Sequence, residues 1–284
     1  MRNGRVKMGL MAAVGVAMFW LYLAVPAMAG PFEDGLAAYE RKDYATALRL
    51  WRPLAEKGLA EAQFNLGNMY DTGKGVPQDD VLALAFYRKA AGQGLAEAQF
   101  NLGNMYDTGE GVPQDYAQAL AWYRKAAGQG HASAQNDLGL MYDTGQGVPQ
   151  DDAQAVAWYR KAAEQGLAEA QYSLGGMYQT GRGVPQDYVQ AREWWRKAAG
   201  QGFAMAQNDL GVMYDKGEGV PQDYVQAHLW YNLAAAALAD GDLRKHAVEN
   251  RDGLATRMTP AQLAEAQKLA REWAQRSRVG DSYD

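Results

Sequence analysis

Residues 60–95 read AEAQFNLGNMYDTGKGVPQDDVLALAFYRKAAGQGL, and the chain then repeats this text, lightly varied, four more times. The copies begin at Ala60, Ala96, Ala132, Ala168 and Ala204, each 36 residues after the last with no insertion. A fixed period in this range marks a solenoid stacked from one small supersecondary unit. A globular enzyme would not need such strict spacing. The repeat therefore decides the architecture and turns the functional question toward surface recognition.

One copy can be read as physics. Ala62, Leu66, Met69 and Tyr70 fall at i, i+4, i+7 and i+8, one face of a helix over about 60–72. Gly67 lies on that face, where it costs a helix about 1 kcal/mol against alanine. Its return as Gly103, Gly139, Gly175 and Gly211 predicts a neighbour too close for a side chain. Gly73 supplies the left-handed residue that stops the helix. Gly75, Val76 and Pro77 complete a turn, and Asp79 is placed to cap a second helix over about 79–92. Ala83, Phe86, Tyr87 and Ala90 trace the inner face of that helix, which Gly94 closes. The aromatic pairs Phe86-Tyr87, Trp122-Tyr123, Trp158-Tyr159, Trp194-Trp195 and Trp230-Tyr231 read as core that fills the gap to the next unit.

The ends depart from the pattern. Residues 30–59 form an opening unit in which Asp43, Ala47, Trp51 and Gly58 align with Asp79, Ala83, Tyr87 and Gly94, and Pro53 is expected to kink the second helix. The five repeats occupy 60–95, 96–131, 132–167, 168–203 and 204–239, the last helix extended from Asn232 to Ala239. Residues 240–277 read as capping helices. The first is charged and spans about 242–256. The second is announced by Thr259-Pro260-Ala261-Gln262 and turns Leu263, Ala266, Leu269, Ala270 and Trp273 inward. Residues 278–284 read as a disordered tail.

Residues 1–29 do not belong to the solenoid. Arg2, Arg5 and Lys7 precede an apolar run from Met8 to Val25, then Pro26 and Ala27-Met28-Ala29. That order reads as a secretory signal peptide cut after Ala29, and the small-x-small site favours this over an uncleaved N-terminal anchor. Both readings place the solenoid outside the cytoplasm, in the periplasm or the medium. The chain has no cysteine, so neither a disulfide framework nor a cysteine-linked lipid is available. Without the 29 residues, which carry three basic and no acidic side chains, 25 basic and 33 acidic residues remain. No stretch gathers Lys or Arg, which speaks against nucleic acid and anionic membrane surfaces as partners.

No catalytic, cofactor or metal constellation stands out. Asp71-x-Gly-x-Gly-x-x-x-Asp79 has the outline of a calcium loop, but Leu82 stands where the bidentate glutamate belongs. Gly73-Lys74-Gly75 is no phosphate loop: Glu110, Gln146, Arg182 and Glu218 replace the lysine in later copies. His131, His228 and His246 occupy unrelated columns, with no metal-ligand spacing. Ser133 and Ser173 look like surface substitutions in their columns, and no serine lies in a nucleophile elbow.

The residues Ala-x-Ala-Gln-x-x-Leu-Gly-x-Met-Tyr, then Gly-x-Gly-Val-Pro-Gln-Asp, then Trp-Tyr-Arg-Lys-Ala-Ala, resemble the Sel1-like repeat, a relative of the tetratricopeptide repeat, over about 60–238. The resemblance implies an all-α fold, a right-handed α/α superhelical solenoid whose first helices line the concave face. It also implies a non-catalytic adaptor or scaffold, often in envelope signalling, host contact or quality control. Some secreted members carry a disulfide in each repeat and are described as binding β-lactams, which leaves a cell-wall or β-lactam-directed hydrolase, or a secreted host-interaction factor, as alternatives; this chain has no cysteine.

Positions that vary among the copies are not needed for stacking. On the first helix the fifth, ninth and twelfth positions form a stripe at i, i+4 and i+7. It reads Phe64, Asn68, Asp71; Phe100, Asn104, Asp107; Asn136, Leu140, Asp143; Tyr172, Gly176, Gln179; Asn208, Val212, Asp215. If the first helices line the groove, this stripe is its floor. Such a floor suits a protein or peptide with apolar anchors and some Lys or Arg. In the competing reading Phe64 and Phe100 pack against the next first helix and the aspartates are merely solvated.

Overall fold

A computed structural model describes residues 30–239 and 241–279. The expected signal peptide, and the tail beyond Val279, lie outside the described residues. The order is α1 (Pro31–Glu40) and α2 (Tyr44–Glu56), then five helix pairs: α3 (Ala60–Thr72) and α4 (Asp80–Gly92), α5 (Ala96–Thr108) and α6 (Tyr116–Gly128), α7 (Ala132–Thr144) and α8 (Asp152–Glu164), α9 (Ala168–Thr180) and α10 (Tyr188–Gly200), α11 (Ala204–Lys216) and α12 (Tyr224–Ala237). Two further helices, α13 (Asp242–Ala255) and α14 (Pro260–Val279), close the array. Among the described residues there is no strand, and each helix packs chiefly on its sequence neighbours, as in a solenoid.

The repeat chemistry forms each pair. Gly73 adopts φ +68° at the end of α3, and the Asp79 carboxylate accepts from the Leu82 amide at 2.9 Å to cap α4. The backbone amide of Asp79 donates to the Tyr70 carbonyl at 3.0 Å, tying the end of the turn back to α3; Asp115, Asp151, Asp187 and Asp223 repeat this bond. The neighbour that forbids a side chain at Gly67 is an aromatic ring. A Cβ there would meet Tyr87 at 2.7 Å, and Gly103, Gly139, Gly175 and Gly211 face Tyr123, Tyr159, Trp195 and Tyr231 in the same way.

The aromatic pair divides its work. Tyr87 is buried between its own Gly67 and the next unit's Ala98, Leu102 and Met105. Phe86 instead packs back onto the preceding layer and stacks on Tyr70, with ring centroids 5.7 Å apart. The pair thus bridges three layers, where the sequence reading assigned it only to the next unit. Trp122, Trp158 and Trp194 stay half-exposed, each with a lysine over its outer face: Lys125 at 3.7 Å, Lys161 at 3.8 Å and Lys197 at 4.0 Å from the ring centroid. Arg88, Arg124 and Arg160 donate to the hydroxyls of Tyr106, Tyr142 and Tyr178 in the next unit. The Arg-Lys motif is therefore a stacking device.

A buried glutamine ladder crosses every joint. Gln63 Nε2 donates to the Ala55 carbonyl, and Gln93 Nε2 donates to Gln63 Oε1 at 2.8 Å. Gln99, Gln135 and Gln171 repeat the arrangement with Gln129, Gln165 and Gln201. At the last joint Gln207 still donates to Ala199, but Ala237 stands where the next rung belongs and Gln207 Oε1 is buried without a partner.

Two helix boundaries at the ends differ from the sequence reading. Helix α12 stops at Ala237, with Leu238 extended, rather than running to Ala239. Helix α14 reaches Val279, past the expected start of the tail. Pro53 lies inside α2, which continues to Glu56. The capping box of α14 forms as read: the Thr259 amide donates to Gln262 Oε1 at 2.9 Å, and the Gln262 amide donates to Thr259 Oγ1 at 3.3 Å.

Candidate functional site: the first-helix stripe

The stripe lies on α3, α5, α7, α9 and α11, and each helix is held by an invariant frame of alanine, glutamine, leucine and glycine on its buried side. The stripe is half-sunk rather than freely exposed. Phe64 sits against Tyr87 at 5.9 Å between ring centroids. Phe100 contacts Tyr123 at 6.0 Å and stacks on His131 at 4.6 Å. Tyr172 packs on Trp195 and Phe203 and donates its hydroxyl to Asp209 Oδ2 at 3.1 Å. These three rings help close the unit joints, the packing role held open beside the groove reading, though their partners are the second-helix aromatic and the link before the next unit.

The asparagines and aspartates receive tyrosine hydroxyls that reach across from the second helices. Tyr87 donates to Asn68 Oδ1 at 2.6 Å and to Asp71 Oδ2 at 3.2 Å. Tyr123 donates to Asn104 Oδ1 at 2.7 Å, and Tyr159 to Asp143 Oδ2 at 3.4 Å. Burial holds each of these tyrosine hydroxyls well above its ordinary pKa, so they act as neutral donors. Asn136 donates to Asp137, leaving its own Oδ1 buried and unpartnered. Burial pushes Asp137 up to about 6 and also raises Asp107, whose Oδ1 is buried and unpartnered. Leu140 is 46% exposed, and a Cβ added at Gly176 would meet open space. Gln179 accepts on its backbone from Gln186, and Val212 packs beside Leu254 of α13.

The last unit's stripe is already occupied by the chain itself. Asn250 of α13 donates to Asn208 Oδ1 at 3.3 Å. Arg257 donates to both oxygens of Asp215, at 2.7 and 2.8 Å, and lies 5.0 Å from the Tyr224 ring centroid. A second arginine makes a similar contact in mid-array: Arg182 grips Asp143 and also donates to Asp152 Oδ1 at 2.6 Å and Oδ2 at 3.2 Å. Sequence reasoning selected both aspartates but not their arginines. Arg257 lies 42 residues from Asp215, outside the period. Arg182 stood out only as a turn position whose residue type changes from copy to copy.

Helix pairs in strict register, with a row of variable side chains along the first helices, define a solenoid that presents a surface. The Sel1 repeat model matches residues 28–59, 60–95, 96–131, 132–167, 168–203 and 204–237, and the chain belongs to the Sel1 repeat family, whose members are typically scaffolds for protein–protein interaction. A Sel1 repeat protein from Oxalobacter formigenes is similar in structure, with TM-score 0.74 and 32% identity over 85% of this chain and 97% of that one. The protective antigen c5321 of uropathogenic Escherichia coli, described as displaying an SLR fold, shares 30% identity over 89% of this chain and 72% of its own, with TM-score 0.39. No curated protein matches the chain.

Proposed function

We propose that this chain is an exported, non-catalytic scaffold that binds another protein along its first-helix stripe, within envelope signalling or assembly. One observation carries the reading: the fifth, ninth and twelfth residues of the first helices fall in one row along the array, and the chain's own cap already uses the last part of that row as a docking surface through Asn208 and Asp215. A partner with apolar anchors and arginine or lysine side chains would meet the same chemistry further along.

Leu140 and Gly176 are the cleanest places to test this, because neither is needed at a joint. Leu140→Arg combined with Gly176→Arg is expected to abolish capture of partners from envelope extract while far-UV circular dichroism and Tm stay unchanged. An unchanged captured set would count against the stripe. Export by a cleaved signal peptide is proposed from the sequence of residues 1–29. It predicts a mature N-terminus at Gly30 in the periplasmic or medium fraction, and an intact Met1 in the membrane fraction would replace it with an anchor.

A further inference from the structure

Three positions of the repeat converge between neighbouring units: the twelfth and twenty-first of one unit and the fifteenth of the next. The glycine after the fifteenth residue enforces the approach. A Cβ on Gly111 would lie 2.5 Å from the Asp80 carbonyl oxygen, and one on Gly183 would lie 2.2 Å from that of Asp152. In the third unit the two acidic positions are Asp143 and Asp152, and Arg182 of the next unit is held between them. In the fifth unit the twelfth and twenty-first residues are Asp215 and Tyr224, and Arg257, which comes from the cap, pairs with the first and lies over the second.

The first and second units carry the same two pairs of residues with no cation. Asp71 and Asp80 reproduce the Asp143–Asp152 seat, but Glu110 stands in the arginine's place. Asp107 and Tyr116 reproduce the Asp215–Tyr224 seat, but Gln146 stands at the fifteenth position. Among the described residues no lysine or arginine forms an ion pair with Asp71, Asp80 or Asp107. Asp107 Oδ1 is a buried acceptor with nothing to accept, whereas Asp143 Oδ1 takes its hydrogen bond from Arg182. Glu110, next to the Gly111 that abuts Asp80, brings an acidic residue to the fifteenth position where the third unit's seat receives an arginine.

We infer that these two seats receive the guanidinium groups of two arginine side chains of a partner protein, one in each of the first two units. The inference rests on the proposed reading of the stripe as a binding surface and says which chemistry it selects. Guanidinium suits the seats because its planar fork serves two acceptors at once, as Arg182 and Arg257 do, whereas an ammonium is a point charge. The first helices of the two units touch through Asn101, which donates to Asn68 Oδ1 at 3.2 Å, and helices in contact stand about 8–10 Å apart, so the two seats suit arginines three residues apart on a polyproline-II-like segment, whose three-residue turn rises about 9 Å and points both side chains the same way.

The probe is a capped Arg-Gly-Ser-Arg peptide titrated calorimetrically into the purified protein at low salt. Binding is expected, and it should weaken more than tenfold in two independent variants. One is Asp71→Asn with Asp107→Asn, which removes charge while keeping an acceptor for Tyr87. The other is Glu110→Arg with Gln146→Arg, which fills each seat from within as Arg182 does. Failure of the unaltered protein to bind the peptide, or equal binding by both variants, would overturn the inference. The stripe proposal is judged separately. Loss of partner capture on Leu140→Arg with Gly176→Arg, beside undiminished capture by Asp71→Asn with Asp107→Asn, would leave the stripe standing and remove the seats.

Discussion

The middle units and the last one are built from the same sentence and end differently. In the middle units the second helix carries Arg and Lys after its aromatic pair, and the lysine lies over a half-exposed tryptophan. In the last unit Asn232 and Leu233 replace them, Trp230 is only 5% exposed, and α14 covers it through Trp273 with ring centroids 6.3 Å apart. On the opposite row, α13 sets Ala247 and Leu254 against Ala234, Ala235 and Tyr231, where another first helix would lie. Two side-chain changes thus turn a solvated ridge into a docking face. A solenoid needs such a stop, because its terminal unit has no neighbour to bury its apolar side.

The comparison can be broken most sharply at Leu233, which is 6% exposed in the core shared with α14. Leu233→Lys restores the interior residue and buries a charge under the cap. It is expected to cost about 3–5 kcal/mol, read as a lowered urea midpoint and new protease cleavage within α14. A tryptophan pair sharpens the contrast. Trp230→Ala should cost about 3–5 kcal/mol, whereas Trp194→Ala, in the same column but half-exposed, should cost about 1 kcal/mol. Equal losses would mean that α14 does not seal the end.

A smaller effect is pH-dependent. Burial raises the pKa of Asp137 from 3.8 to about 6, so the folded state binds its proton more tightly than the unfolded chain does. Its contribution is favourable at low pH and is lost as pH rises through about 4 to 6. Asp137→Asn is expected to add about 1–2 kcal/mol at pH 7 and to flatten the stability profile across that window. The smallest prediction concerns the glutamine ladder. Ala237→Gln supplies the missing rung for Gln207 and should add about 0.5–1 kcal/mol, seen as a slight rise in Tm.

Much of the fold is legible in the sequence because its signals are local. Gly73, Asp79 and the i, i+4, i+7 faces each report a backbone state within a few residues of themselves. The ladder is hidden in the sequence because an invariant glutamine on a helix looks solvated until the preceding unit supplies the Ala55 carbonyl and its own unit's link supplies Gln93. The contrast between Leu233 and its lysine equivalents is legible in the sequence and marks the face that the cap covers, beside the capping box at Thr259 that announces α14. At the stripe, variation among the copies picked out the positions but not their engagement. It could not foresee that Tyr87 and Tyr123 reach across to Asn68 and Asn104, nor that Arg257 crosses 42 residues to Asp215. Those contacts depend on how layers meet, which a periodic pattern alone does not specify.

Site-specific photo-crosslinking in intact cells tests the central claim most directly, with a photoreactive residue at Leu140 on the stripe or at Ala121 on the outer side of α6, both exposed. The account predicts a discrete protein adduct from position 140 and none from position 121. Adducts from position 121 alone would contradict it.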